Sequence, residues 1–278
     1  MGKLKKPAVA LGGLGLFAAV NIFLSMKWLN VKRRNVKINN LPRHLEGLRI
    51  LHISDIHNTS YKRLSVDIWK KIFKNDFDIA FITGDLTKEY FDQVLPMRKG
   101  LSELARRVPV FFVDGNHEKY HFHQMKEFLE SCGVVVLDDK KIVLEVDGGE
   151  LEILGTRDFY YQKYKHFKPF TELMEREVRC GFRILLSHQP QIIDRLCYFQ
   201  DILVISGHTH GGQVKLPFIP ALYAPGQGFF PKYAGGFYNV KHNYLYVSSG
   251  IGASRVPIRF FNRPEVAVFT LQNVPYRD

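Results

Sequence analysis

The sequence predicts an α/β protein in which two packed mixed sheets are flanked by helices, with a transmembrane helix at the N-terminus. Three observations predict it. Apolar runs and helical periods alternate as β-α-β-α-β between residues 48 and 130. After 134 the strands become too many for one doubly wound sheet. Residues 7–26, "PAVALGGLGLFAAVNIFLSM", carry no charge.

The N-terminal run comes first in the chain. Twenty residues rising about 1.5 Å each match the roughly 30 Å hydrocarbon core of a bilayer. Lys3, Lys5 and Lys6 precede it, and Trp28 with Lys27, Lys32, Arg33 and Arg34 follows it, as at a membrane interface. A signal peptide would have a shorter apolar core and a small-residue cleavage site, and none is clear near Ser25. The expectation is a single-pass anchor in the cell membrane, retained or cleaved. The basic residues on its C-terminal side tilt the rest of the chain towards the cytoplasm, with an extracytoplasmic placement as the alternative. Residues 1–40 read as anchor and basic linker, and 41–278 as one folded domain.

Composition narrows the class. Hydrophobic residues make up 46% and charged residues 24%, so a folded core is expected rather than disorder. Lys and Arg number 39 against 27 Asp and Glu, a net +12 that favours an anionic partner. Beside a membrane span the basic tract 32–37 fits lipid headgroups better than nucleic acid, and no nucleic acid is expected as a partner. Cys132, Cys180 and Cys197 are odd in number and lack metal-binding spacing, so they read as free thiols.

The domain's elements follow in order. "LRILHIS" (48–54), "DIAFIT" (78–83) and "VPVFFV" (108–113) read as buried strands. Helices are expected within 65–74, after Pro96 up to 107, and over 124–130. Strand, helix, strand in this order implies parallel strands with right-handed crossovers. "VVVL", "KIVLEV" and "LEILGT" (134–156) are joined by Asp-Asp and "DGGE" turns, which predict antiparallel hairpins. Strands then recur at 182–187, 201–206, 243–249 and 265–271, with a helix, "PQIIDRLCYF", between the first two.

Metal-competent residues fall at the ends of these strands. Asp55 and His57 end the first, Asp85 the second, and Asn116 and His117 the third. His188 follows "FRILLS", and His208 and His210 follow "DILVIS". Carboxyl ends of parallel strands share one edge of a sheet, where ligands bind. Each fragment alone is weak: Asp85 reads equally as a helix cap, and Gly-Asn is common in turns. Their ordered recurrence is what carries meaning. Two metals about 3.5–4 Å apart need a bridging carboxylate and nitrogen and oxygen ligands. Imidazole and carboxylate without thiolate suit Mn, Fe, Zn or Co. Gly84, Gly115 and Gly207 are read as letting the backbone turn just before a ligand. Glu118 reads either as a brace for His117 or as a solvated carboxylate, and His52 as a core residue. Asp114 reads as a loop brace, and His121 and His123 as surface histidines. Residues 223–238, "YAPGQGFFPKYAGGFY", could wall a substrate groove or merely pack. Arg255, Arg259 and Arg263 could meet phosphate, with surface charge as the default reading.

The order Asp-x-His, Gly-Asp, Gly-Asn-His, His, Gly-His-x-His resembles the calcineurin-like metallophosphoesterases. "GHTHGGQVKLPFIP", "APGQGFFPKY" and "FFNRPEVAVFTL" resemble signatures of the bacterial membrane-associated subgroup. The resemblance implies a four-layer αββα sandwich and two divalent metal ions, with Mn, Zn and Fe as the candidates. Asp55, His57 and His210 would hold one ion, Asn116, His188 and His208 the other, and Asp85 would bridge them. His117 would stabilise or protonate the leaving group while a metal-bridging hydroxide attacks phosphorus. The implied activity is that of a membrane-anchored phosphodiesterase or pyrophosphatase acting on a lipid- or nucleotide-linked phosphate. A UDP-2,3-diacylglucosamine pyrophosphatase, a phosphomonoesterase or protein phosphatase, and a non-catalytic metal-dependent membrane scaffold are the alternatives.

Overall fold

The strand pairing of the computed structural model resolves the surplus of strands into two sheets. The structure describes all residues except 1–14, 18, 24, 26–28, 58–67, 159–166, 176–179, 213, 216–220, 225, 253–258 and 276–278. The first sheet begins with β1 (Asn30–Asn39), β2 (Arg49–Ile53), β3 (Ile79–Thr83), β4 (Val110–Val113) and β5 (Val135–Val136). The second is built from β6 (Lys140–Val146), β7 (Gly149–Gly155), β8 (Arg183–Leu186), β9 (Ile202–Ser206), β12 (Gly236–Val240) and β13 (Asn243–Val247). Between β9 and β12, β10 (Tyr223–Ala224) and β11 (Gly228–Phe229) form a small hairpin of their own, and β14 (Glu265–Val274) returns to the first sheet. The spatial orders are β1-β14-β2-β3-β4-β5 and β12-β13-β9-β8-β7-β6.

Parallel pairing of β2, β3 and β4 matches the alternation of strand and helix in the sequence. So does the antiparallel hairpin of β6 and β7. The "VVVL" segment differs from expectation. It supplies β5, which pairs parallel with β4 instead of forming a hairpin, because α2 (Phe122–Ser131) carries the chain back across the sheet before it. α1 (Arg98–Arg107) follows a 3₁₀ stretch containing Pro96, as the proline required. The helix expected at "PQIIDRLCYF" is only a 3₁₀ turn over Pro190–Arg195.

Period-two alternation sorts the core. Ile50, Ile79, Phe81, Phe111 and Val113 meet Ile153, Ile184, Leu186, Leu203 and Ile205 between the sheets. Leu51, Ile53, Ile82 and Phe112 face outward onto Leu101, Leu104, Met125 and Leu129 of α1 and α2. On the other side Leu185, Val204 and Leu245 pack on Leu173 and Met174 of α3 (Phe167–Glu175). The layers are therefore helix, sheet, sheet, helix.

Two expectations about the N-terminal region are corrected. No helix among the described residues is long and apolar enough to cross a membrane, so neither the transmembrane helix nor the single-pass membrane localisation stands. Residues 7–14, 18, 24 and 26 of the apolar run lie outside the described residues. Part of the remainder is bonded to the domain: Asn21 Oδ1 accepts the Phe261 N–H at 2.9 Å, and Ser25 is buried. An uncharged run with basic flanks does not register such polar attachments. The basic tract 32–37, read as linker, lies in β1, paired parallel with β14 over ten residues. Val36 and Ile38 face the core while Arg33, Asn35 and Lys37 stay exposed, and lysine and arginine suit a strand at a sheet edge.

Candidate metal centre

The strand ends bring seven of the eight singled-out residues into contact. Asp55 and His57 follow β2, Asp85 follows β3, and His117 follows β4 in the first sheet. His188 follows β8, and His208 and His210 follow β9 in the second. Their donor atoms form three groups, each with all atoms within 4.8 Å: Asp55, His57 and His210; His57, Asp85 and His117; Asp85, His188 and His208. Asp85 Oδ2 is the common point, 3.3 Å from His188 Nε2, 3.5 Å from His57 Nε2 and 3.8 Å from His117 Nε2. His57 Nε2 lies 3.1 Å from His210 Nε2, and His208 Nδ1 lies 3.1 Å from His188 Nε2. Asn116, the eighth, is half-buried, and its Oδ1 is buried with no hydrogen-bond partner.

Local backbone geometry produces this convergence. Asp55, His57, Asp85, His208 and His210 all adopt positive φ, between 42° and 71°. Side chains other than glycine rarely take this conformation, and such strain concentrates at functional sites. Of the glycines read as turn-makers, Gly84 has φ +75°, while Gly115 and Gly207 do not have positive φ. Gly207 serves close approach: a Cβ there would lie 1.9 Å from Ser54 Oγ.

Hydrogen bonds fix which ring nitrogen faces inward. His188 Nδ1 donates to Thr83 O at 2.7 Å, His117 Nδ1 to Lys88 O, and His210 Nδ1 to Gly252 O at 3.3 Å. A carbonyl only accepts, so Nδ1 carries the proton and the Nε2 lone pair of a neutral ring points into the cluster. Asp55 is held by a relay from the core. His52 Nε2 donates to Thr83 Oγ1 (2.8 Å), Thr83 to Ser54 Oγ (2.9 Å), and Ser54 to Asp55 Oδ2 (2.6 Å). The His208 backbone N–H also donates to Asp55.

Electrostatics follow from burial and from these neighbours. Burial opposes ionisation of Asp85, yet His188, His57 and His117 beside it hold the carboxyl well below its usual range. His188 is likewise desolvated, but Asp85 raises its imidazole well above the usual value. Burial lowers His57 to about 4 and His208 to about 3, so both rings are neutral donors at neutral pH. Burial is also the main cause that raises Asp55 to about 6.

Several bracing residues surround the cluster. Glu118 is fully buried, not solvated. Its carboxylate accepts the N–H groups of Asp85 (2.8 Å), Gly115 (2.9 Å) and Thr87 (3.2 Å), tying the loops after β3 and β4 together. Asp114 accepts Arg157 Nε at 3.0 Å and the Asp158 N–H at 3.2 Å, as expected of a loop brace. His121 reaches Thr87 Oγ1, while His123 is exposed. Arg259, read as surface charge, is buried. Its Nη2 donates to the carbonyls of Ser249 and Gly252, which holds the loop packed on Asp55 and His210. Arg255 lies outside the described residues. Within 223–238, Gly226 packs on His208, where a Cβ would come within 2.5 Å of Nε2. The sequence suggests only surface charge or a phosphate contact for Arg259, and no role for Asn262. The only signal is their place in "RFFNRPE": Arg259 reaches back 7 and 10 positions and Asn262 reaches back 52, to carbonyls that no local pattern marks.

The residues fit a pair of divalent cations. The donors are imidazole nitrogens and carboxylate oxygens, one carboxylate is central, and Asn116 Oδ1 beside His117 in the chain is buried without a hydrogen-bond partner. Such an arrangement can bind an anionic oxygen compound and polarise it.

Comparison with known proteins agrees with this chemistry. A family model described as calcineurin-like phosphoesterase matches residues 48–212. The chain is 27% identical over 261 residues to the uncharacterized metallophosphoesterase YkuE of Bacillus subtilis, covering 90% of this chain and 88% of that protein. It is 31% identical to an uncharacterized metallophosphoesterase of Helicobacter pylori over 84% of this chain, which spans 64% of that longer protein. The phosphodiesterase YaeI of Escherichia coli is 28% identical, with 80% of this chain and 82% of that one aligned.

Proposed function

Since the chain belongs to the calcineurin-like phosphoesterase family, we propose that it hydrolyses phosphodiesters or pyrophosphate bonds with the help of two divalent cations. A metal-dependent phosphoester hydrolase is the coarser statement that the family match and the donor clusters support together. Preference for diesters is supported by the likeness to a phosphodiesterase. The observation that carries the reading is Asp85 Oδ2, within 4 Å of three imidazole nitrogens that reach it from both sheets.

In this reading Asp55, His57 and His210 hold one cation, Asn116, His188 and His208 the other, and Asp85 serves both. When bound, the cations supply Lewis acidity towards the phosphoryl oxygens and lower the pKa of water at the site. Asp85 stays ionised and sets the separation of the two donor groups. Backbone carbonyls hold the His188 and His210 rings, so their Nε2 atoms need no reorientation on binding. His117 is more exposed than the other clustered side chains, 27% against 5% or less for those of His57, His188 and His210. With Nδ1–H committed to Lys88 O, its Nε2 faces the site, and the ring in its imidazolium form gives the Nε2 proton to the departing oxygen.

The test compares hydrolysis of bis-p-nitrophenyl phosphate and p-nitrophenyl phosphate by chelator-treated protein before and after Mn²⁺ is restored. The diester should be cleaved faster, and only with metal. Asp85→Ala and His208→Ala should abolish turnover and lower metal content. Full diesterase activity in either variant after metal stripping would overturn the assignment. A faster monoester reaction would move the substrate class to phosphomonoesters.

A further inference from the structure

A second polar cavity lies behind the loop that carries His208 and His210. Its volume is about 260 Å³, and Asn21 and Ser25 line it together with residues 261–263 of the C-terminal segment. Lys32, Lys215 and Arg263 line the same space, as do Asn30 and Asn262. At about 30 Å³ per water, it has room for several waters or for one tetrahedral oxyanion and its substituent.

Cations outnumber carboxylates among the charged groups that act on Lys215. The carboxylate acting on Lys215 is Glu265, which already pairs with Lys32 and accepts the Tyr246 hydroxyl. The other charged groups acting on Lys215 are Lys32, Arg259 and Arg34, all cations. Lys215 itself is half-buried, and among the described residues no acceptor meets its ammonium. Its Nζ rests 3.5 Å from where a Cβ on Gly235 would sit, and that Cβ would in turn lie 3.1 Å from Gly211 Cα. Burial is the main cause that lowers its pKa to about 8. A largely desolvated cation whose counter-charge is shared with a second lysine is costly, and either loss of a proton or capture of an anion relieves it.

We propose that this cavity is a binding site for a phosphate-type oxyanion, with Lys215 supplying charge that the shared Glu265 only partly offsets and Lys32 and Arg263 lining the same space. Three cationic side chains around one small volume match a multiply charged acceptor with several oxygens better than a carboxylate or a halide. The site is separate from the metal-competent cluster. Asn262 stands between them, with its amide bonded to the His210 carbonyl. It does not depend on the hydrolytic reading. Free phosphate and a phosphate monoester would present the same head to it.

The test uses the full chain, stripped of metal by chelation so that no cation at the other cluster can bind the anion. Thermal unfolding is followed with inorganic phosphate, with glycerol 3-phosphate, and with chloride at matched ionic strength. At roughly a hundredfold excess over Kd, the midpoint should rise by a few degrees over chloride. A larger rise with phosphate identifies the free ion as ligand, and a larger rise with glycerol 3-phosphate identifies an ester. Lys215→Met should unfold at a higher temperature than the parent in chloride and show no rise with either anion. No rise in the parent, or an equal rise in Lys215→Met, would overturn the proposal. In the unaltered protein, phosphate should also slow acylation of Lys215, read by peptide mass mapping. An unchanged rate would count against the site whatever the variant does.

Discussion

Asn262 donates its side-chain amide to the carbonyl oxygen of His210, 2.6 Å away and 52 positions earlier in the chain. Its Oδ1 lies where a Cβ on Gly211 would come within 2.6 Å. The segment before β14 thus clamps the backbone of the loop after β9 at His210. Asn262→Ala removes the clamp without touching a proposed ligand. The expected result is metal affinity weakened about 10- to 100-fold, measured by competition with a chelating dye. Unchanged affinity would show that the loop holds its shape unaided.

Glu118 makes a second clamp with a different consequence. Three backbone N–H groups end on its carboxylate, so Glu118→Ala leaves buried donors unsatisfied. Stability should fall by about 2 kcal/mol or more, read from urea unfolding. Glu118→Gln keeps one acceptor oxygen and should lose less. Equal losses in the two variants would mean that packing, not hydrogen bonding, is what Glu118 supplies.

His117 should separate chemistry from metal binding. It is the clustered residue with the most exposed ring and an inward Nε2. His117→Ala should keep both metals, measured by elemental analysis, and turn over about 10²- to 10⁴-fold more slowly. Loss of metal from this variant would make it a ligand instead of a proton donor.

His52 gives the pH dependence of stability. Burial lowers its imidazole to about 3, against about 6.5 in an unfolded chain. The unfolded chain therefore takes up a proton below about 6.5 that the folded chain refuses until near 3. The stabilisation is complete above about 6.5 and is lost as pH falls towards 3, with a slope of up to about 1.4 kcal/mol per pH unit for one proton. In metal-free protein, His52→Gln should show a shallower loss of unfolding free energy between pH 6.5 and 5 than the parent. Parallel curves would mean that His52 does not titrate on unfolding.

Much of the proposed site was legible because its residues punctuate strands. "SDIH", "TGDL", "GNHE", "SHQP" and "SGHTH" each follow a run of buried, alternating residues, and topology brings such ends to one edge. Glu118 was half-legible: its position beside His117 was noticed, but its burial depends on two loops meeting. Arg259 and Asn262 were not legible as braces, since their acceptors are carbonyls on segments earlier in the chain. β1 was missed because its basic residues masked the inward pair Val36 and Ile38, and its partner is the last strand of the chain.

By itself the sequence determined the alternation of strand and helix over 48–130, the two-sheet class and the positions where metal-competent side chains leave the strands. These depend on periodicity and turn chemistry within a few residues of one another, and such signals survive without a partner. Only the tertiary structure decided that β1 is an edge strand, that the described N-terminal helical residues form no span, and that Glu118, Arg259 and Asn262 brace the cluster. Those outcomes depend on which buried polar group finds which acceptor across the fold, and a one-dimensional pattern does not encode that pairing.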